Sequence, residues 1–213
     1  METGNETNRS DREKHQVIIL IVGQKGCGKS ALIKMEKLKE FDRVVVIDHR
    51  EEYAGCRCVD IKNLRHLAGH IKNKRIFRVR VGRNFEDDFN DLMDFCYAVG
   101  DMTIIIEEIP RVIPLSNEKL DGPIGDIIFR GRHQNINVIG ICQRASMINI
   151  NLRSQADIFC SFRQTEREDV KKVCDLANID EEELRSLPVG EYFEVTFSGV
   201  RRKEVKRLKK ILS

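Results

Sequence analysis

Short apolar runs alternate with amphipathic stretches along most of this chain. The apolar runs are rich in Val and Ile, and they predict strands at residues 16–22, 43–48, 75–81, 102–107, 137–142, 157–162 and 190–197. Stretches with helical periodicity predict helices at residues 28–39, 61–72, 85–98, 123–131, 166–177 and 181–186. Strands that alternate with helices predict an α/β fold of three layers, with helices on both faces of a mainly parallel sheet. Residues 190–205 have the pattern of a hairpin, which would add antiparallel strands to one edge of that sheet.

The length of 213 residues suits one domain. We expect residues 16–213 to form that domain, which ends in a basic tail, and residues 1–15 to be a flexible N-terminal arm with few core-forming side chains. The sequence has no signal-peptide pattern and no apolar run near the roughly 18 residues of a membrane span. Its seven cysteines are an odd number and fall mostly within predicted strands and helices, which favours reduced thiols and a cytoplasmic protein.

The segment after the first predicted strand has the pattern G-x-x-x-x-G-K-S. A strand, a glycine-rich turn and a helix follow one another here, so that successive backbone N–H groups can converge on a polyphosphate at the helix N-terminus. Lys29 would reach the β- and γ-phosphates, and the Ser30 hydroxyl would ligate Mg²⁺. The predicted nucleotide site consists of Gly23, Gln24, Lys25, Gly26, Cys27, Gly28, Lys29 and Ser30.

Two carboxylates end the apolar strand predicted at residues 102–107. The first, Glu107, would hold Mg²⁺ directly or through water, and the second, Glu108, would polarise an attacking water. Aspartate is usual at the first position, so direct contact between Glu107 and the metal stays open, as does a purely structural role for the pair. No N-K-x-D motif for guanine follows this strand, which favours ATP as the nucleotide.

Polar residues flank the next predicted strand, at residues 137–142. Gln143, at the end of that strand, is placed to sense the γ-phosphate. Arginines ahead of the strand would lie at the rim of the sheet, where one could reach the transferred phosphoryl group of a neighbouring subunit. We expect Arg132 to have this role, with Arg130 and Arg144 as the other candidates and an ordinary ion pair as the alternative.

Basic residues concentrate in two segments, although the net charge is only +3. Residues 61–85 contain no carboxylate, and residues 201–210 form a basic run near the C-terminus. Either segment could follow the phosphate backbone of a nucleic acid, or be solvated surface balanced by acidic stretches elsewhere.

Four possible zinc ligands lie close together in the sequence. Cys56 and Cys58 precede His66 and His70, which are four residues apart and would share a helical face. Because the C-x-C spacing is tighter than usual for zinc sites, buried thiols and surface histidines are the simpler interpretation.

Five segments together resemble the FtsK–HerA superfamily of DNA-pumping ATPases. They are G-Q-K-G-C-G-K-S, V-V-V-I-D-H-R-E-E-Y, I-I-I-E-E, G-R-H-Q-N-I-N-V-I-G-I-C-Q-R and L-P-V-G-E-Y, and they span about residues 16–197. The segment from Asp48 to Tyr53 is similar to the D-P-x-G-E-Y of HerA-like proteins, with His49 and Glu51 departing from it. The resemblance implies a RecA-like (ASCE) P-loop NTPase that hydrolyses ATP and moves double-stranded DNA.

The size of the chain narrows what the resemblance implies. Cellular FtsK and HerA proteins carry extra domains, whereas a single-domain member looks like the viral ATPases that package DNA into a preformed capsid. That implies a homo-oligomeric ring, a pentamer or hexamer, in the host cytoplasm or on the virion at a capsid portal or vertex protein. The long connection at residues 109–122 would then face DNA in the central pore, or be an ordinary surface loop.

Two other functions stay open at this point. One is a cellular HerA-like translocase subunit in repair, conjugation or phage defence. The other is a non-motor NTPase, either a small-molecule kinase or a switch, in which Glu108 would be harder to explain.

Overall fold

A computed structural model of the chain describes residues 15–48, 50–53, 55–59, 67–68, 77–81, 88–115 and 118–206. The strands are β1 (Ile18–Val22), β2 (Arg43–Ile47), β3 (Arg57–Val59), β4 (Phe77–Val81), β5 (Met102–Ile106), β6 (Ile136–Cys142), β7 (Ile158–Phe162), β8 (Glu191–Thr196) and β9 (Gly199–Glu204). Helix α1 runs through Lys29–Leu32, Ile33–Lys37 and Leu38–Glu40, and its middle piece is π-helical. The other helices are α2 (Phe89–Val99), α3 (Gly122–Arg130), α4 (Ile150–Ser154), α5 (Arg167–Ala177) and α6 (Glu181–Arg185).

These strands form one sheet in the order β3-β4-β2-β5-β6-β1-β7-β8-β9. The strands from β3 to β7 in that order pair in parallel, and the hairpin of β8 and β9 adds antiparallel to the β7 edge. Strand β6 lies between β1 and β5, so Gln143, which follows β6, lies between the phosphate loop and the two carboxylates. The predicted α/β class and the terminal hairpin are both confirmed.

Buried side chains lie in two layers, one on each face of the sheet. On one face, α1 packs through Leu32 and Ile33 against residues of β1 such as Ile21. On the other face, α2, α3 and α5 pack against the alternate residues of the same strands, for example through Leu92 and Val170. Because the central strands are covered on both sides, their sequences are continuous apolar runs without polar alternation. The predicted three-layer arrangement is therefore confirmed.

Two short elements escaped the sequence prediction, namely β3 and α4. They contain three and five residues, too few to show a period. Helix α2 begins at Phe89, and residues 85–87 of the predicted helix lie outside the described part of the chain. Nearly all of the predicted arm at 1–15 and the predicted helix at 61–72 lie there too. In the described portions, no helix combines the length and hydrophobicity that a membrane crossing requires.

Asn149 ties α4 to the long connection that follows β5. Its side-chain oxygen accepts the backbone N–H groups of Asn151 and Leu152 at the start of α4, and its amide donates to the carbonyl oxygens of Pro114 and Glu118. The residue is only 2% exposed. A single side chain therefore both caps a helix and holds Pro114 and Glu118 of the connection.

Replacing Asn149 by alanine is expected to lower the free energy of unfolding by about 2–4 kcal/mol. The change removes an N-cap, usually about 1 kcal/mol, and the hydrogen bonds to the carbonyl oxygens of Pro114 and Glu118, at about 0.5–1.5 kcal/mol each. Urea unfolding followed by circular dichroism measures it. Asn151→Ala is the control, because its exposed amide makes one 3.4 Å bond to Glu118, so a change of less than about 0.5 kcal/mol is expected. Equal losses in the two variants would contradict the anchoring role of Asn149.

Candidate nucleotide-binding site

The phosphate loop turns directly from β1 into α1, which begins at Lys29. Gly28 has φ of 116°, and a Cβ there would lie 3.1 Å from the Cα of Gly190 and 3.2 Å from the ring of Phe162. The Gly190 N–H donates to the carbonyl oxygen of Cys27 at 2.9 Å, which holds the turn before β8 against the loop. Glycine at position 28 thus serves both the positive φ and the close approach of another backbone.

Lys29 reaches back over this loop. Its Nζ donates to the carbonyl oxygens of Gly23 at 2.5 Å and Gln24 at 2.8 Å. The loop is held from the other side by β7, since the Gln24 N–H donates to the carbonyl oxygen of Arg163 at 3.2 Å. The amine therefore lies in the curve of the loop, at the place where bound phosphates would be its partners.

The two carboxylates after β5 point to different partners. Glu108 has a left-handed backbone, with φ 50° and ψ 55°, which turns its side chain away from that of Glu107. Its Oε1 accepts a 2.6 Å hydrogen bond from Nε2 of Gln143 and lies 2.5 Å from Nη2 of Arg50. Glu107 is 6% exposed and accepts a hydrogen bond from the Tyr53 hydroxyl. The structure thus places Glu108 against Gln143 and gives Glu107 a buried partner, Tyr53.

Burial dominates the electrostatics of Glu107. It raises the pKa of Glu107 to about 7, against the opposing effect of the hydrogen bond from Tyr53, and the nearby carboxylates of Glu52 and Asp48 add to the rise. The pKa of Tyr53 is also raised, by burial and then by the charge of Glu107. A cation bound close by would favour the charged form of this carboxylate.

The loop after β2, residues 48–53, supplies site residues that the sequence prediction did not assign. Asp48 is fully buried, and its carboxylate accepts the backbone N–H groups of Glu52 at 3.1 Å and Tyr53 at 2.9 Å. This closes the loop, so that Ser30 Oγ donates to Oε2 of Glu52 at 2.6 Å while Tyr53 contacts Glu107. The sequence signal for these residues is the segment D-H-R-E-E-Y, part of the resemblance to HerA-like proteins.

The oxygen donors here suit Mg²⁺. The Ser30 hydroxyl and the Glu52 and Glu107 carboxylates are hard ligands of the kind that this ion prefers. Across the described ranges, no group of three His, Cys, Asp or Glu side chains is arranged to enclose a metal. Mg²⁺ usually keeps several waters and binds one or two protein oxygens together with substrate phosphates.

Arg132 lies far from the phosphate loop of its own subunit. It is exposed in the short 3₁₀ turn at Gly131–Gln134 that precedes β6, whereas Gln143 follows the last residue of that strand. Seven strand residues rise about 3.3 Å each, so roughly 20 Å separate the two ends. The Arg132 side chain therefore does not reach the phosphate loop of its own chain, and its role towards a neighbouring subunit stays a prediction.

The other two candidate arginines have local partners. Arg130 pairs with Asp126 on α3 at 3.2 Å. Arg144 is at the same edge as the phosphate loop, and its Nε lies 3.0 Å from the buried carboxylate of Asp169. For Arg132, no carboxylate of the described residues is within ion-pair distance, which separates it from the other two.

Three basic side chains in the described parts of the two basic segments pair with carboxylates of the protein. Arg80 is 16% exposed, and its Nη1 lies 3.9 Å from Oδ2 of Asp48, so it faces the site loop and not a nucleic-acid surface. In the hairpin, Arg202 pairs with Glu191 and Lys203 with Glu194. Arg80 is therefore an internal partner of Asp48, and local ion pairs account for Arg202 and Lys203, while nucleic-acid contact by the two segments stays a prediction. Most of residues 61–76 and all of 207–213 lie outside the described ranges.

The cysteines are all free thiols, four of them buried, as expected for reduced cysteine. Of the possible zinc ligands, Cys56 is half-buried and Cys58 is exposed, while His66 and His70 lie outside the described residues. The structure therefore does not test the zinc alternative.

Comparison with known proteins finds similarity at the level of structure. No protein-family model matches the sequence, and no curated protein sequence is similar to it. The genome packaging NTPase of Sulfolobus turreted icosahedral virus 2, in complex with ATPγS, has a TM-score of 0.74 at 20% identity, covering 89% of this chain and 98% of that one. VirB4 of Thermoanaerobacter pseudethanolicus has a TM-score of 0.62 at 11% identity, covering 88% of both chains. The conjugation coupling protein TcpA of pCW3 has a TM-score of 0.58 at 13% identity, covering 90% of this chain and 60% of that one.

The likeness to the packaging NTPase extends over most of this chain. The chain therefore has the RecA-like P-loop NTPase fold that is found in a viral genome packaging NTPase, in VirB4 and in TcpA.

Proposed function

We propose that this chain is an ATPase that moves double-stranded DNA, the motor subunit that packages a viral genome into a preformed capsid. The observation that carries the proposal is the 2.6 Å contact between Gln143 and Glu108 at the sheet edge that also holds the phosphate loop. A carboxylate oriented by a neighbouring amide is what activation of water for ATP hydrolysis needs. The likeness to a genome packaging NTPase, 98% of which is covered, supports the choice of DNA packaging as the work done.

Each site residue has a part in this mechanism. The backbone amides of residues 23–30 and the amine of Lys29 bind the phosphates, and Ser30 and Glu107 would hold Mg²⁺. When bound, Mg²⁺ neutralises charge that develops on the phosphate oxygens. Glu108 takes the proton of the attacking water, and Gln143 fixes the orientation of that carboxylate.

Assembly completes the site. A homo-oligomeric ring places Arg132 of one subunit at the phosphates of the next, because its own phosphate loop is at the opposite edge of the sheet. The ring would sit in the host cytoplasm at a capsid portal or vertex protein. Arg111 and Lys119 are exposed on the connection at 109–122, which makes them the candidates for contact with DNA in the pore.

The first test is ATP hydrolysis by the purified protein with and without double-stranded DNA. We expect turnover that DNA stimulates, and that Lys29→Ala abolishes, because the variant lacks the charge that holds the β- and γ-phosphates. Turnover that DNA leaves unchanged but a small acceptor stimulates would replace the motor proposal with a kinase.

A cellular translocase is the second candidate. The fold likeness to VirB4 and TcpA favours it, since TcpA is a conjugation coupling protein. Neighbouring genes separate the two candidates: capsid genes support a packaging motor, and nuclease or conjugation genes support a cellular translocase.

A further inference from the structure

We propose that Glu52 is the carboxylate that faces Mg²⁺ at the nucleotide site, and that Glu107 stands behind it as a positioning residue. This inference rests on the proposed ATP site and names a metal-facing residue within it. It reassigns part of the role that the sequence pattern gives to the carboxylate at the end of β5.

Glu52 contacts the Ser30 hydroxyl, which would bind the metal. Oε2 of Glu52 lies 2.6 Å from Oγ of Ser30, the hydroxyl that a phosphate loop offers to Mg²⁺. An ion bound to Ser30 at about 2.1 Å would have the Glu52 carboxylate within roughly 5 Å, in reach directly or through one bound water. The described structure gives Glu107 no contact with Ser30; its partner is the Tyr53 hydroxyl.

The carboxylates of the site differ in whether a cationic side chain balances their charge. Glu108 is paired with Arg50, and Asp48 has Arg80 and two backbone N–H groups. Within the described residues, neither Glu52 nor Glu107 has a cationic side chain at ion-pair distance. The charge of Glu52 beside a triphosphate site would repel the nucleotide, so a divalent cation between this carboxylate and the phosphates is needed for tight binding.

Glu52 is more accessible to solvent than Glu107. Glu107 is 6% exposed, whereas Glu52 is only partly buried, so Glu52 is the carboxylate open to an arriving ion. Adjacent residues of one loop hold both carboxylates: Glu52 itself, and Tyr53 through its hydroxyl bond to Glu107. The buried Asp48 closes that loop on both backbone N–H groups, so the positions of the two carboxylates are coupled.

The test is the Mg²⁺ dependence of ATPγS binding by the Glu52→Gln variant. Glutamine still accepts a hydrogen bond from Ser30 but carries no charge. We expect the apparent Mg²⁺ affinity, titrated at fixed ATPγS, to fall about 10- to 100-fold. In EDTA the variant should bind ATPγS as well as the wild type or better, because a repulsive charge has been removed. Glu52→Asp, which keeps the charge on a shorter side chain, should recover part of the Mg²⁺ dependence.

Glu51→Gln is the matched control, since it removes one negative charge from the same loop at an exposed position, and it should behave as the wild type does. An unchanged Mg²⁺ titration for Glu52→Gln would overturn the inference. Equal weakening with Mg²⁺ and with EDTA would also overturn it, because the loss would then be structural. Absence of ATPγS binding by the wild type would instead reject the ATP site itself.

Discussion

Replacing Glu108 by glutamine is expected to lower ATP turnover about 10²- to 10⁴-fold while ATP binding stays intact. The glutamine carbonyl can still accept the contacts that Oε1 of Glu108 receives from Gln143 and Arg50, so the geometry of the site is preserved. What the variant loses is the basicity needed to take a proton from the attacking water. Single-turnover hydrolysis and equilibrium ATP binding, measured on the same preparation, separate the two effects.

Glu118→Gln is the control for this experiment, because Glu118 is an exposed carboxylate on the connection that follows β5. It should hydrolyse ATP at the wild-type rate. Normal turnover by Glu108→Gln would mean that another group is the base. Loss of ATP binding together with turnover would instead make Glu108 a structural residue of the site, paired with Arg50.

Replacing Arg132 by alanine is expected to lower turnover about 10³- to 10⁵-fold in a ring built from the variant alone. An arginine that reaches a neighbouring phosphoryl group stabilises charge in the transition state, and Arg132 is exposed at the edge of the sheet opposite its own phosphate loop. In rings that mix variant and wild-type subunits, activity should fall more steeply than the variant fraction rises. The reason is that each variant subunit impairs the site of its neighbour and so interrupts the order in which the subunits of the ring hydrolyse ATP.

Arg130→Ala is the matched control, because Arg130 is two residues away in the sequence and pairs with Asp126. In mixed rings, the Arg130→Ala variant should leave the ATPase activity of neighbouring subunits unchanged. A strictly linear fall for Arg132→Ala mixtures would argue against a residue acting in trans, and a steep fall for Arg130→Ala would move that role to Arg130.

The sequence determined those features that depend on consecutive residues. Continuous apolar runs such as β1 and β5 predict strands covered on both faces, because no exposed position interrupts them. The phosphate loop is equally local, since a strand, a glycine turn and a helix with Lys29 and Ser30 at its start lie within one short segment. The sequence also predicts that Glu108 and Gln143 lie at the same edge of the sheet. Each follows a strand, and the carboxyl ends of parallel strands meet at one edge.

The tertiary structure decided which side chains share the site when their partners are distant in sequence. Glu52 meets Ser30, and Tyr53 meets Glu107, only because the buried carboxylate of Asp48 folds the loop after β2 back over the ends of β5 and β1. A charge pattern could not show that Arg80 turns inward to Asp48, because a count of basic residues carries no direction. Nor could it place Arg132 at the far edge of the sheet, which follows from the length and direction of β6. Local propensity acts through neighbours in the chain, whereas these contacts depend on strand order and loop closure.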